Sequence, residues 1–208
     1  MAQTNFNYDT LDESYFPSIA DNLLNKCYLL VNDKEFRLVE IEFYLNCQGH
    51  VDPYTHGDVD QLKMHTFYFH KFKSGTYKAG TFKGMDLTFG DQNENAYFGI
   101  LIRAIEETAT NIIIEGPCNV VNKILNAYGC ESIMDFTGGE SLDIFGNDHN
   151  FVLVKSEALP QKEIFWGPRI GLSDKFPPYQ NRYYRYVTDK NKIKKKKTTL
   201  VKVDVEDC

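Results

Sequence analysis

One stretch of the chain leaves little freedom in how it can fold. Residues 97–105 read Tyr97-Phe98-Gly99-Ile100-Leu101-Ile102-Arg103-Ala104-Ile105. Taken as a strand, Phe98, Ile100, Ile102 and Ala104 face one way, and Leu101, Arg103 and Ile105 face the other. A strand that is apolar on both faces belongs inside a sheet covered on both sides. It also carries Arg103 into that interior, where a guanidinium needs a carboxylate or phosphate partner. The alternative is a strand-end arginine that reaches back to water.

Candidate partners lie in residues 35–44. Period two puts Leu38, Glu40, Glu42 and Tyr44 on one face and Val39, Ile41 and Phe43 on the other. The second face is core. The first is either a solvent-facing side or the wall of a pocket in which Tyr44 stands beside Glu42.

Short apolar runs bounded by turn residues recur along the chain. Further strands are predicted over 28–31, 66–72, 76–78, 85–89, 111–115, 151–154, 169–172 and 183–187. Asn32-Asp33 is a turn pair, and residues 45–65 read as loop. Two helices are expected. Residues 14–26 have Pro17 in the first turn and Ile19, Leu23 and Leu24 on one face. Residues 118–127 lie between Pro117 and Gly129. Many strands with few helices make an α+β domain. With 208 residues, 42% of them hydrophobic, one domain over 14–188 can bury its own core. Residues 1–13 are expected to be a flexible leader and 189–208 a Lys-rich tail.

Charge is unevenly spread. Residues 182–202 hold nine basic and one acidic side chain, against 14 basic and 28 acidic elsewhere. An acidic body argues against broad nonspecific nucleic-acid binding. The lysine run at 192–197 can hold phosphates or act as a nuclear address, or it can be a solvated, mobile end. The chain contains no apolar run of membrane-spanning length and does not begin like a secretory signal. Its cysteines (27, 47, 118, 130, 208) form no Cys-x-x-Cys. An intracellular protein, nuclear or cytoplasmic, is expected.

The loop Asp52-Pro53-Tyr54-Thr55-His56 offers a histidine that Asp52 could orient. Cys47, His50, His65 and His70 are near in sequence but match no established metal-ligand spacing, so no metal is expected. Gly80-Thr81-Phe82-Lys83-Gly84 lacks the ending of a phosphate loop, and Gly138-Gly139 reads as a turn.

Several segments, in order, resemble the alkyladenine (3-methyladenine) DNA glycosylase family. They are Val39-Glu40-Ile41-Glu42-Phe43-Tyr44, Asp52-Pro53-Tyr54-Thr55-His56 and Ile100-Leu101-Ile102-Arg103-Ala104-Ile105-Glu106. Gly116-Pro117 before a helix, Trp166-Gly167-Pro168-Arg169-Ile170-Gly171-Leu172 and Tyr183-Tyr184-Arg185-Tyr186 follow. The similarity spans residues 18–188 and marks a divergent member. It implies a curved, mainly antiparallel β-sheet with flanking helices, like the C-terminal domain of formyltransferases. It implies hydrolysis of the N-glycosidic bond of a flipped damaged purine (3-methyladenine, hypoxanthine or ethenoadenine class) in base-excision repair, without cofactor. On this resemblance Glu42 activates the water, and Arg103 holds that water and pairs with Glu42. Tyr44 and His56 bind the base, and the backbone at 169–171 lines the water site. The implied partner is damaged DNA, bound by a monomer, with no membrane.

The segment Gly75 to Met85 departs from the family. Lys83 stands where the family has its wedge aromatic, and Gly80 where it has a second pocket aromatic. Lys83, Phe82, Tyr77 and Arg169 are the candidate DNA contacts, with Phe82 or Tyr77 as substitute wedges. A pocket kept for binding a nucleobase, a nucleoside or a single strand is the alternative expectation.

Overall fold

The computed structural model describes residues 10–139, 142–146 and 150–203. Through them the chain runs α1 (Phe16–Lys26), β1 (Cys27–Val31), β2 (Lys34–Cys47), β3 (His50–Val51), β4 (Met64–Phe69) and β5 (Met85–Phe89). It continues through β6 (Tyr97–Glu107), β7 (Ile112–Glu115), α2 (Pro117–Tyr128), α3 (Ile133–Gly139) and β8 (Phe151–Lys155). Last come β9 (Phe165–Gly167), α4 (Pro177–Gln180), β10 (Arg185–Val187) and β11 (Val201–Lys202). The strands form an open antiparallel sheet whose main path is β11-β9-β10-β2-β6-β5-β4, with helices flanking it. The domain is α+β.

The two long strands serve as the axis. β2 pairs with β6 along one edge and, on the other, with β1 and then β10. β6 likewise pairs with β5 and then β7. The partners change where the β2–β6 register slips. Leu38 faces Ile105, Glu40 faces Ala104 and Ile41 faces Ile102, so Val39 and Arg103 are skipped. Such bulges re-aim side chains, and here they correct the simple alternation. Leu38 joins Ile41 and Phe43 in the main core, while Val39 turns to a second cluster with Ala104, Val187, Ile193 and Leu200. Ile105 in turn joins the face of Ile102 and Ile100. Glu40, Glu42 and Tyr44 stay on one face because the residue skipped on β2, Val39, precedes all three.

The helices cover the main core. Pro17 opens α1, whose Phe16 stacks on Phe43 with ring centroids 4.4 Å apart. Pro117 opens α2, and Gly129 closes it at φ 89°, a left-handed position that favours glycine. Val120, Val121 and Ile124 are buried below.

Several expectations change. Leu11 is fully buried and Glu13 begins a 3-10 turn capped by Asp12, so the described part of the leader is packed structure; residues 1–9 lie outside the described residues. The lysine run does not stand off as a solvated end. Ile193 and Leu200 are buried, the Lys194 and Lys195 amides donate to the Glu115 carboxylate, and β11 pairs with β9. Residues 204–208 lie outside the described residues. Residues 169–172 form no strand: Pro168 removes one donor, and the Ile170 amide is spent on a carboxylate. Residues 76–78 supply one bridge, Tyr77 to Lys71. Gly138 and Gly139 end helix α3.

Candidate functional site

The face of β2 and β6 opposite the helices carries a compact set of charges. Arg103 Nε donates to Glu40 Oε1 at 3.0 Å, and its Nη1 donates to Glu42 Oε2 at 3.3 Å. Arg185 Nε donates to the same Glu40 oxygen at 2.7 Å. All four side chains are buried, and their formal charges balance. Burial raises the pKa of the Glu40 carboxyl, against the pull of Arg185 and Arg103. Burial also opposes the charge on Arg103, but Glu42 and Glu40 outweigh it and raise its pKa.

Glu42 is 0% exposed. Beyond Arg103 it accepts from the Tyr44 hydroxyl at 2.9 Å and from the Ile170 amide at 2.7 Å. Burial, then the charge of Glu42, push the Tyr44 phenol well above its ordinary pKa, so it remains an O–H donor. The expected Glu42–Arg103 pair, the adjacent Tyr44 and the 169–171 backbone are therefore brought together.

Beside this set lies a cavity of about 170 Å³ lined by Tyr44, Tyr54, His56, Gln61, His70 and Asp86, with Leu101 and Leu172. Tyr44 and His56 thus share one pocket. Glu42 sits behind its wall, reached through Tyr44 and through Ile170, two residues before Leu172. The volume is below the ~300–1,000 Å³ usual for drug-sized ligands, which leaves room for one small ring system. His56 also lines a second, wider cleft of about 720 Å³, with Tyr68, Phe72, Lys71, Lys73 and Lys78.

Asp52 does not orient His56. Its carboxylate receives Arg169 at 2.5 and 3.1 Å, and one of its oxygens accepts from the Tyr54 amide, which shapes the loop. Lys78 takes the expected role: its Nζ donates to His56 Nε2 at 2.7 Å. The ring is exposed at the mouth of both cavities. Partial burial, then neighbouring His70 and Lys78, lower its pKa to about 4. The ring of His70 packs against it at 4.6 Å, and His70 Nε2 donates to Asp86 Oδ1 at 2.7 Å.

The expected DNA contacts divide. Phe82 is 71% exposed on a 3-10 turn. Lys83 hydrogen-bonds Asn122. Tyr77 is half-buried under Lys71. Arg169 is corrected to a buried residue: it pairs with Asp52 and stacks 4.5 Å over Tyr44, so it props the pocket wall and faces no solvent. Among the described residues no group of three or more His, Cys, Asp or Glu could hold a metal. His50 is buried between the Leu45 carbonyl and the Tyr184 hydroxyl. No described helix is long and apolar enough to cross a membrane.

Gln61, Lys78 and Asp86 were not legible as site residues. Each reaches the pocket by a contact 16 to 25 residues away in sequence. The glycines that admit one such contact offer a faint signal. A Cβ on Gly99 would meet Asp86 Oδ2 and Gln61 Nε2 at 2.6 Å each, and one on Gly90 would meet the Gln61 carbonyl at 1.9 Å.

No protein-family model matches the chain. It is similar to "Uncharacterized protein L759" of Acanthamoeba polyphaga mimivirus, 53% identical over 208 residues that cover 95% of this chain and 96% of the viral protein. The aligned region takes in nearly all of both chains, strands, pocket loops and docked lysine segment alike, and the chain belongs to the same family as this mimivirus protein.

Proposed function

We propose that this chain is an N-glycosidase that removes a damaged purine flipped out of DNA, the reaction of the glycosylase family its motifs resemble. The observation that carries this reading is Glu42, a buried carboxylate held by Arg103, Tyr44 and the Ile170 amide directly behind an aromatic pocket of single-base size. A base within a duplex must leave the stack to be cut, and aromatic walls recover the stacking it loses. Positive charge develops at the anomeric carbon as the bond breaks, and a nearby carboxylate stabilises it and activates the attacking water. Arg103 balances the charge of that carboxylate and fixes its orientation.

Lys71, Lys73 and Lys78 line the cleft across His56 together with Asp58, and Lys71 is paired with Asp60; sugar and phosphates too large for the small pocket would lie there, nearest Lys73 and Lys78. Residues 78–84 are anchored at both ends on pocket histidines, by Lys78 on His56 and by the Gly84 carbonyl accepting from the His70 amide. Phe82 projects from that segment and takes the role of wedge; Lys83, tied to Asn122, does not.

A second reading has its own support. Glu42 is fully enclosed and does not line the cavity, and three donors already occupy most of the roughly four acceptor sites of a carboxylate. On that reading the pocket binds a nucleobase, a nucleoside or an unpaired strand without cleaving it. Incubation with duplex and single-stranded oligonucleotides carrying hypoxanthine, ethenoadenine or methylated purines decides between the two. Base release that falls by at least ~10²-fold in Glu42→Gln is expected for a hydrolase. Binding with no release from any substrate supports the second reading.

A further inference from the structure

The lysine beside His56 is held differently from the others near the cleft. Lys71 is paired with Asp60, Lys83 is hydrogen-bonded to Asn122, and Lys73 is exposed. Lys78 is half-buried, and among the described residues no carboxylate stands within ion-pair distance of its Nζ. That Nζ donates instead to His56 Nε2 at 2.7 Å. Burial lowers the pKa of the amine, against an opposing pull from Asp86, and the neutral His56 ring returns no countercharge. The backbone is fixed as well. The Lys78 amide donates to the His70 carbonyl at 2.8 Å, one residue after the Tyr77–Lys71 bridge. Lys78 lines the wide cleft, and the His56 ring that it touches lines both the cleft and the small pocket. A strand with a base in the pocket and phosphates in the cleft therefore passes its sugar across His56, beside Lys78 Nζ.

We propose that Lys78 is a nucleophile that gives the protein a second activity, a lyase step on the abasic sugar that base removal leaves in a DNA strand. This rests on the reading above in taking the cleft for a DNA strand, but it needs no excision by Glu42. A lysine amine freed of its proton forms Schiff bases with carbonyl carbons. The abasic sugar opens to an aldehyde at C1′. The Nζ lone pair bonds to C1′, the carbonyl oxygen leaves as water, and a protonated imine results. The imine draws electrons from C2′, whose proton passes to a water in the cleft. The C3′–O bond breaks, and its electron pair leaves with the 3′ phosphate. A second water hydrolyses the imine, which restores the Lys78 amine and releases an unsaturated aldehyde on the cut strand. No oxidant, reductant or metal enters this balance. An exposed lysine is protonated at neutral pH and attacks poorly, whereas desolvation beside an uncharged ring favours the free amine. Lys73, exposed in the same cleft, lacks that setting.

The test supplies the abasic site ready-made, so that no base release is needed. Full-length protein is incubated with duplex and single-stranded oligonucleotides carrying one abasic site. Cyanoborohydride is added to one half, to reduce any imine to a stable amine. A covalent adduct is expected with the reductant, and strand cutting on the 3′ side of the abasic site without it. Peptide mass mapping should place the adduct on Lys78. Lys78→Arg keeps the charge but is too basic to form an imine. It should lose adduct and cutting while still binding the abasic oligonucleotide, and Lys73→Arg should keep all three. Melting curves show that both variants are folded. An adduct that maps to the tail lysines, or that persists undiminished in Lys78→Arg, overturns the proposal. Base release from damaged oligonucleotides with no Lys78 adduct overturns it too and leaves the glycosidase reading standing. A Lys78 adduct with no base release from any oligonucleotide supports the lyase step and removes only the hydrolytic reading. Neither adduct nor binding of the abasic oligonucleotides overturns both.

Discussion

At the level of single residues, the buried charges obey a rule that can be read in advance. A guanidinium inside a doubly covered strand needs carboxylates, and Glu40 and Glu42 were the acidic residues on a neighbouring strand within reach. Arg103→Ala should therefore destabilise the fold by ~3–5 kcal/mol, because two buried carboxylates would lose a partner; an unchanged denaturation midpoint would contradict this. His56 could be picked out as a pocket residue, but its partner could not. Lys78 meets it only because residues 70–84 fold back over the pocket. With a folded pKa of about 4 against the ordinary 6.5, the unfolded chain binds a proton in that interval that the folded protein does not. Stability from this group is complete above pH 6.5 and is lost as pH falls toward 4. The effect is small, since the ring is exposed and solvent screens it. Melting curves from pH 7 to 4 should fall less steeply for His56→Gln than for the parent protein.

At the level of elements, most strands and both long helices follow from period and punctuation. The failures share a cause: a backbone group or side chain was claimed by a distant partner. Residues 169–172 look like a strand by composition, yet Arg169 turns inward to Asp52 and the Ile170 amide turns to Glu42. The lysine run looks like a solvated block, yet Ile193 and Leu200 close the second apolar cluster over Val39 and Ala104. Local charge density hid those two residues, whose burial depends on a face that appears only when β2 and β6 slip register. Ile193→Ala should then cost ~2–4 kcal/mol in a chemical denaturation experiment, as for other buried isoleucines. Changing Lys197 to Gln should stay within ~0.5 kcal/mol. Equal, small effects would mean that the tail contributes nothing to the fold.

At the level of the whole molecule, charge and shape meet at one place. The protein carries a formal charge of -6, and the docked tail spends part of its basic excess on Glu106, through Lys192. On the proposed function, phosphates would approach through the cleft that holds Lys71, Lys73 and Lys78, where Asp58 also lies and Lys71 is paired with Asp60. Duplex binding measured against salt should show a log–log slope of about −2 to −3, reduced by about 1 in Lys73→Gln. A much steeper slope would point to the tail lysines instead. By itself the sequence determined the α+β class, the doubly covered central strand, the helix ends and the pairing of Arg103 with glutamates. These depend on nearest-neighbour sterics, on alternation and on the cost of burying charge, all local or nearly local. Only the tertiary structure decided which face each residue took beyond the β2–β6 slip, where the tail went, and that Gln61, His70, Lys78 and Asp86 complete one site. Those outcomes depend on contacts between segments far apart in the chain, which hydrophobic period and residue type do not encode.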